Sequence, residues 1–152
     1  MKKIWKLIIS ILLPFLASVI GGFFTSQSVS TWYITLIKPS FNPPSWVFGP
    51  VWTILYLLMG ISLYLVWIKR YDKKAFTVFG IQLFLNALWS VLFFGLQNPL
   101  FAFIEIIFLW AAILITIIYF YRINKISAYL LIPYILWVSF AAVLNISIVL
   151  LN

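Results

Sequence analysis

The chain has 152 residues, of which 66% are hydrophobic and 8% are charged, with a formal net charge of +8. In a soluble domain roughly a quarter of the residues are charged. The 10 basic and 2 acidic side chains of this chain are too few to form the polar surface of such a domain, which indicates a membrane protein. The absence of cysteine and histidine excludes disulfides, thiol nucleophiles and histidine-based catalysis, and it leaves no typical metal site. No glycine-rich phosphate loop is present.

Five apolar stretches, with Glu105 as their single charged residue, are long enough to cross the hydrocarbon core of a bilayer, which takes about 20 apolar residues in a helix. The predicted spans are residues 7–24, 46–68, 75–95, 100–121 and 127–151. Runs such as Ile104–Ile118 do not alternate in polarity, so they favour helices over barrel strands. We therefore expect an all-α membrane protein, with residues 1–152 forming one bundle of five transmembrane helices and a long structured loop between helices 1 and 2.

The first connector is about twenty residues long, which is more than a helical hairpin needs. Prolines and aromatic residues are frequent between Trp32 and Trp52. One interpretation is an interfacial aromatic belt with a proline-rich turn. The other is a lid that is folded over the mouth of the bundle, and the sequence leaves both open.

Basic residues are distributed unequally between the two sides of the predicted bundle. Lys38 is the only one on the side of the first connector. The nine on the opposite side are Lys2, Lys3, Lys6, Lys69, Arg70, Lys73, Lys74, Arg122 and Lys125. This bias predicts a cytoplasmic N-terminus and an outer C-terminus. The lysine-rich, cysteine-free composition without a transit peptide further indicates the plasma membrane of a bacterium. The charges would attract anionic membrane lipids, and their dispersion over loop ends disfavours nucleic-acid binding.

Polar and aromatic side chains recur at helical spacing in four of the spans. We expect these rows to point into the bundle and to line an aromatic cavity with few polar groups, which suits a flat hydrophobic ligand. The rows are Trp52 and Tyr56; Gln82, Asn86, Trp89, Ser90 and Phe93; Phe101, Glu105 and Phe108; and Trp137, Ala141 and Asn145.

Three of these side chains are costly to place in hydrocarbon without a partner. The amides of Asn86 and Asn145 must bond either to another helix or to a ligand, and both alternatives stay open. Glu105 is the only acidic residue within a span. Such a carboxyl is either functional or a neutral, hydrogen-bonded group near the end of its helix.

Four blocks of the chain resemble the translocator protein family, also called tryptophan-rich sensory proteins or peripheral-type benzodiazepine receptors (TspO/MBR). They include Trp32-Tyr33, Lys38-Pro39, Pro43-Pro44 and Gly49-Pro50-Val51-Trp52; Gln82-Leu83, Asn86 and Trp89-Ser90; Ala102 and Glu105; and Pro133-Tyr134, Trp137 and Leu144-Asn145. The resemblance covers nearly the whole chain. It implies a bacterial five-helix protein, often a homodimer, that binds porphyrins, while animal members also bind cholesterol and isoquinoline or benzodiazepine ligands.

The resemblance further implies a ligand pocket among all five helices beneath the first loop, with no metal and no required cofactor. Protoporphyrin IX would be its ligand. The only catalytic role implied is light-dependent porphyrin breakdown, with Trp52 and Trp137 as stacking walls and electron donors. The implied pocket residues are Gly22, Thr25, Tyr33, Phe48, Gly49, Val51, Trp52, Tyr56, Asn86, Trp89, Ser90, Phe101, Glu105, Phe108, Trp137, Ala141, Leu144 and Asn145.

Two classes of function stay open on the sequence. The first is a receptor or sensor that binds tetrapyrroles and other flat ligands such as isoquinoline carboxamides. The second is a transporter of porphyrins, steroids or hydrophobic drugs, with Glu105 as its coupling group. Five spans without a visible internal repeat argue against the second. Sterol recognition is doubtful, because the segment 144–152 lacks the tyrosine and arginine of animal members.

Overall fold

The computed structural model describes Met1–Asn152 and contains helices and connectors only. The helices are α1 Lys3–Ser28, α2 Phe48–Lys69, α3 Lys73–Ser90, α4 Pro99–Ile123, α5 Lys125–Leu130 and α6 Ile132–Leu151. A π turn, Val91–Gly95, prolongs α3, and only Leu131 separates α5 from α6. Five helical segments are long and apolar enough to cross a membrane, which confirms the predicted all-α membrane fold.

Most helical segments extend past the predicted spans. The first, Lys3–Ser28, is four residues longer than predicted at each end, whereas the other four agree with the prediction within two residues at each end. Hydropathy marks only the part of a helix that lies in hydrocarbon. The helices continue for several residues into the polar ends, where charged side chains meet the headgroup region.

Each of the three short connectors ends in a residue that caps the next helix. Asp72, Asn98 and Asn124 accept a backbone N–H two or three residues further on, at distances of 2.9–3.0 Å. Pro99 follows the second cap at the first position of α4, where its missing N–H leaves no bond unmade. These caps satisfy N–H groups at the helix starts and allow sharp reversals between spans.

The alternating direction of the five spans gives the bundle two distinct ends. The N-terminus and the connectors α2–α3 and α4–α5 form the basic end, which carries nine of the ten lysine and arginine residues. The connectors α1–α2 and α3–α4 and the C-terminus form the loop end. The halves of the bundle next to these ends are called the basic half and the loop half below.

Helix α1 changes its neighbour along its length. In the basic half it touches α2, where a Cβ atom at Gly60 would lie 2.9 Å from the Cα atom of Ile11. At the loop end α1 contacts the π turn instead, and the Ser28 hydroxyl donates to the Phe94 carbonyl at 2.7 Å. α1 therefore crosses the bundle obliquely, from α2 toward α3.

The connector between α1 and α2 is packed onto the loop end. Its Tyr33 ring is buried and lies 5.7–6.3 Å from the rings of Phe93 and Phe94. The Asn152 side chain bonds to both backbone groups of Ile37, accepting from the N–H at 3.0 Å and donating to the C=O at 2.9 Å. These contacts hold the long connector in place over the bundle.

Candidate functional site

A cavity of about 660 Å³ lies in the loop half, among all five spans and beneath the α1–α2 connector. Its volume falls within the range of about 300–1,000 Å³ that is typical of small-molecule sites. Tyr33 closes it from the connector, and Ile106 and Leu109 contribute its wall on α4. Most of the lining is apolar or aromatic, and a few polar groups converge on it.

The cavity brings together most of the residues that the sequence assigned to a ligand pocket. Those that line it are Gly22, Thr25, Tyr33, Phe48, Gly49, Trp52, Tyr56, Asn86, Trp89, Ser90, Trp137, Ala141, Leu144 and Asn145. Four assigned residues do not line it, namely Val51, Phe101, Glu105 and Phe108.

The predicted inward row on α4 is wrong for its two aromatic rings. Phe101 and Phe108 are 54% and 63% exposed, and both project away from the bundle interior. Their spacing correctly places them on one face, but α4 is apolar all round, so spacing does not indicate which face packs inward. Ile106 and Leu109 occupy the inner face instead.

Glu105 and Val51 lie close to the cavity wall without forming it. Glu105 is 6% exposed, and neither carboxyl oxygen has a hydrogen-bond partner in the protein. Val51 is half-buried and packs against the hydrophobic core. The carboxyl is therefore an isolated polar group within the bundle, and the hydrogen bonds that one interpretation expected for it are not made.

The amide of Asn86 joins three helices. It accepts from the Tyr56 hydroxyl at 2.6 Å and donates to the Tyr134 hydroxyl at 2.9 Å. Tyr134 in turn donates to the Gln82 side-chain oxygen at 2.7 Å. Of the two partners expected for Asn86, another helix or a ligand, the structure shows hydrogen bonds to other helices. One N–H of the amide remains for a further partner.

Asn145 forms a second interhelical bridge at the cavity wall. Its oxygen accepts from the Trp89 indole N–H at 3.0 Å, and its nitrogen donates to the Pro99 carbonyl at 2.8 Å. Trp89 is also stacked on Phe93, with ring centroids 4.9 Å apart and an interplanar angle of 20°. These contacts hold the Trp89 ring in one orientation against the cavity.

Trp52 and Trp137 occupy separate aromatic clusters on the cavity wall. Trp52 is stacked on Tyr56, with centroids 5.5 Å apart and planes 28° apart. Trp137 meets Phe48 edge-on at 6.0 Å and contacts Phe140 at 5.5 Å. The indole N–H of Trp137 is buried and has no hydrogen-bond partner in the protein.

Tyr33 closes the cavity at the loop end as a neutral phenol. Burial raises the pKa of Tyr33 above its usual value of 10.0, and a hydrogen bond to Asn42 lowers it in part. The hydroxyl donates to the Asn42 side-chain oxygen at 3.2 Å. The ammonium group of Lys38, the single cation of the loop end, lies 4.6 Å from the centroid of the ring.

Sequence reasoning missed the wall that α1 provides. Besides Gly22 and Thr25, this helix lines the cavity with Ser18, Gly21 and Ser26, and Val29, which directly follows the helix, lines it too. These small and weakly polar residues follow helical spacing, which was a usable signal. It was overlooked because small residues carry little hydropathy contrast. Trp46, Thr53 and the apolar residues Phe94, Val138 and Ile148 were also missed.

Comparison with known proteins places the chain in a family. A model of the TspO/MBR family matches residues 10–151. The chain belongs to the TspO/MBR family. It is 50% identical over 152 residues to the tryptophan-rich protein TspO of Archaeoglobus fulgidus, covering 99% of each chain.

Two further relatives show the breadth of the similarity. The tryptophan-rich protein TspO of Chlorobaculum tepidum is 44% identical over 155 residues, with 99% of this chain and 98% of the relative covered. The human translocator protein is 37% identical over 139 residues, with 88% and 82% covered. The family resemblance that the sequence blocks indicated is thereby confirmed.

Proposed function

We propose that this TspO/MBR family member is a membrane receptor or sensor that binds protoporphyrin IX and other flat hydrophobic ligands, such as isoquinoline carboxamides, in the loop-half cavity. The observation that carries the proposal is a cavity of about 660 Å³ with the indole rings of Trp52, Trp89 and Trp137 on its walls. Stacking of an aromatic macrocycle on such rings contributes about 0.5–1.5 kcal/mol per pair beyond the burial of area.

The polar groups of the cavity suit a ligand with a few hydrogen-bonding atoms at its edge. Asn86 retains one N–H for such an atom. The chain has no histidine or cysteine, which are common axial ligands of haem iron, so the metal-free porphyrin should bind better than haem. The porphyrin is a ligand here, and no cofactor is required.

Titration of the purified protein with protoporphyrin IX, followed by tryptophan fluorescence, tests the proposal. We expect saturable quenching, and we expect Trp52→Ala and Trp137→Ala each to weaken binding about tenfold, because each removes a large apolar stacking surface. Trp5→Ala is the control, since Trp5 is exposed at the basic end. Binding that survives both cavity replacements would place the porphyrin elsewhere.

We also propose a light-dependent reaction in which Trp52 and Trp137 donate electrons to the photoexcited porphyrin. Trp52→Phe and Trp137→Phe should preserve most of the dark affinity, because an aromatic face remains, but they should slow bleaching strongly, because phenylalanine is a poor electron donor. Porphyrin absorbance under illumination measures this effect, with Trp5→Phe and Trp67→Phe as controls from the basic end. Bleaching at the rate of the unchanged protein would contradict the photochemical role.

The proposed location is the plasma membrane of a bacterium, with the N-terminus in the cytoplasm. The cluster of nine cations at the basic end supports this orientation. A reporter that is active only outside the cytoplasm should work after Asn152 and be silent after Asp72. The reverse pattern would overturn the orientation.

Besides the small-molecule ligand, the proposed partners are membrane lipids and a second copy of the chain. Anionic headgroups suit the basic end, and the homodimer rests on the family resemblance. Chemical cross-linking of the protein in liposomes at low density tests the dimer. A strictly monomeric product would contradict it.

Transport of porphyrins, steroids or hydrophobic drugs is the second candidate function. One observation favours it, namely that Glu105 is buried with both carboxyl oxygens unpartnered, as expected of a group that exchanges a proton. A liposome flux assay under a pH gradient separates the two functions. Saturable binding without net movement supports the receptor, whereas gradient-driven flux that Glu105→Gln abolishes supports the transporter.

A further inference from the structure

The exposed part of the cavity lining lies on one side only. All exposed lining residues belong to α1 or to the segment 45–53 that begins α2, and they are Gly22, Ser26, Ser45, Trp46, Gly49 and Thr53. The lining residues from α3, α4 and α6 are buried or half-buried. The cavity therefore opens between α1 and α2.

The two antiparallel helices diverge from a tight contact in the basic half. A Cβ atom at Gly60 would lie 2.9 Å from both the Cα atom of Ile11 and the Ser10 carbonyl oxygen. Gly22 lies 11 residues after Ile11, and Gly49 lies 11 residues before Gly60. Eleven residues make about three helical turns, or roughly 16 Å. Gly22 therefore lies on the same face of α1 as Ile11, and Gly49 lies on the same face of α2 as Gly60. No atom would lie within 4 Å of a Cβ at Gly22 or at Gly49.

The divergence has a cause in the packing of α1 against α3 and the π turn. A Cβ atom at Gly21 would lie 3.1 Å from the Ser90 hydroxyl, so the helices approach closely there. One turn further, a Cβ at Gly95 would lie 2.7 Å from the Phe24 ring. Small residues thus draw the loop half of α1 toward α3 and away from α2.

No side-chain hydrogen bond closes the gap between the two helices. The hydroxyls of Thr25, Ser26 and Thr53 each donate to a carbonyl of their own helix, at 2.8–2.9 Å. The only side-chain hydrogen bond between α1 and α2 is at the basic end, where the Lys6 ammonium group donates to the Trp67 carbonyl at 3.3 Å. The helices are joined at one end and free at the other.

We propose that the gap between the loop halves of α1 and α2 is a lateral portal, through which the cavity exchanges flat apolar molecules with the hydrocarbon of the bilayer. The proposal rests on the proposed function only for the identity of the ligand. A molecule that is dissolved in the membrane would reach the indole rings without crossing water. The connector held by Asn152 would then stay in place during binding.

The absence of cysteine allows a direct test in lipid vesicles. In the variant Gly22→Cys/Gly49→Cys/Ala141→Cys, a bifunctional methanethiosulfonate bridges the two portal positions and leaves a free thiol at position 141 inside the cavity, which peptide mass spectrometry verifies. The probe is N-(1-pyrenyl)maleimide, a flat apolar reagent that is supplied from the lipid. We expect the bridge to slow labelling at position 141 about tenfold or more relative to Ala141→Cys alone, as for a closed gate, and reduction of the bridge to restore it.

The matched control bridges the connector instead of the portal. In Ile37→Cys/Asn152→Cys/Ala141→Cys the same reagent fixes the connector to the C-terminus, where the two residues already contact each other. Labelling at position 141 should then change less than about twofold, because the connector is not the gate. If the connector bridge slows labelling and the portal bridge does not, access is beneath the connector and the lateral portal is wrong.

The outcome is independent of porphyrin binding, because the probe reacts with the cavity thiol whether or not protoporphyrin is a ligand. Gated labelling without protoporphyrin binding would retain the portal and reject the proposed ligand. Protoporphyrin binding with labelling that ignores the portal bridge would retain the ligand and reject the portal.

Discussion

The basic half and the loop half of the bundle contain the same five spans but differ in how closely the helices approach. In the basic half, small residues let backbones touch, as at Gly60 against Ile11 and at Ser62, whose hydroxyl donates to the Ser127 carbonyl at 2.7 Å. In the loop half, α1 approaches α3 closely at Gly21 but diverges from α2, and large aromatic rings line the space that is left. In lipid, where apolar burial does not drive helices together, local residue size decides between a solid core and a cavity.

Hydrogen bonds between side chains of different helices also surround the cavity. The chain from Tyr56 through Asn86 and Tyr134 to Gln82 ties α2, α3 and α6 together beneath the cavity. At the cavity wall, Asn145 holds Trp89 in position. These hydrogen bonds therefore connect the helices around the cavity.

The sharpest test of this comparison places the same substitution in both halves. Gly60→Ala should lower the free energy of unfolding by about 3 kcal/mol, because the new Cβ meets backbone atoms that cannot move alone. Gly49→Ala, on the same helix, should change it by less than about 0.5 kcal/mol, because open space surrounds that position. Denaturation in mixed detergent micelles measures both. Equal effects would show that the halves do not differ in packing.

The hydrogen-bond chain from Tyr56 through Asn86 and Tyr134 to Gln82 gives the next largest expected effect. Tyr134→Phe removes a hydroxyl that accepts from Asn86 and donates to Gln82, and it leaves two buried amide groups without this partner. The free energy of unfolding should fall by about 2 kcal/mol. Tyr129→Phe is the control on an exposed ring of the same span. An unchanged free energy of unfolding in Tyr134→Phe would show that this hydrogen-bond chain does not stabilise the bundle.

Backbone strain at the loop end gives a smaller effect of the opposite sign. Gln97 has a φ of 51°, a left-handed conformation that favours glycine. Gln97→Gly should therefore raise the melting temperature, with a gain of about 1 kcal/mol in the free energy of unfolding. Gln27→Gly, within helix α1, should give no gain. A loss of stability at position 97 would mean that its side chain contributes more than the strain costs.

The smallest effect concerns the connector. Asn152→Ala removes both bonds to the Ile37 backbone, and because these groups are exposed the global stability should fall by only about 0.5 kcal/mol. Hydrogen exchange at the Ile37 amide should nevertheless become faster. Ser147→Ala, whose hydroxyl bonds within its own helix, should leave that exchange unchanged. Unchanged protection in Asn152→Ala would mean that the connector is held by its aromatic packing alone.

The success of sequence reasoning differed between the spans for a physical reason. In the third span, Gln82, Asn86 and Ser90 are polar, so their row had to face the interior, and the structure places it there. In the fourth span only Glu105 carries such a constraint, and the phenylalanines on either side of it project outward. In the first span, Ser18, Gly21 and Ser26 were missed, because serine and glycine differ little from their neighbours in transfer energy.

The sequence by itself determined the helical class, the number of membrane-spanning helices and the inward faces of the third and fifth spans. Polar side chains and uninterrupted apolar runs have large transfer energies between water and hydrocarbon, and such signals survive without knowledge of the fold. The tertiary structure alone decided which face of α4 packs inward, where α1 leaves α2 and on which side the cavity opens. An apolar ring is equally stable against lipid and against another helix, so only the fit of side chains between neighbouring helices selects its direction.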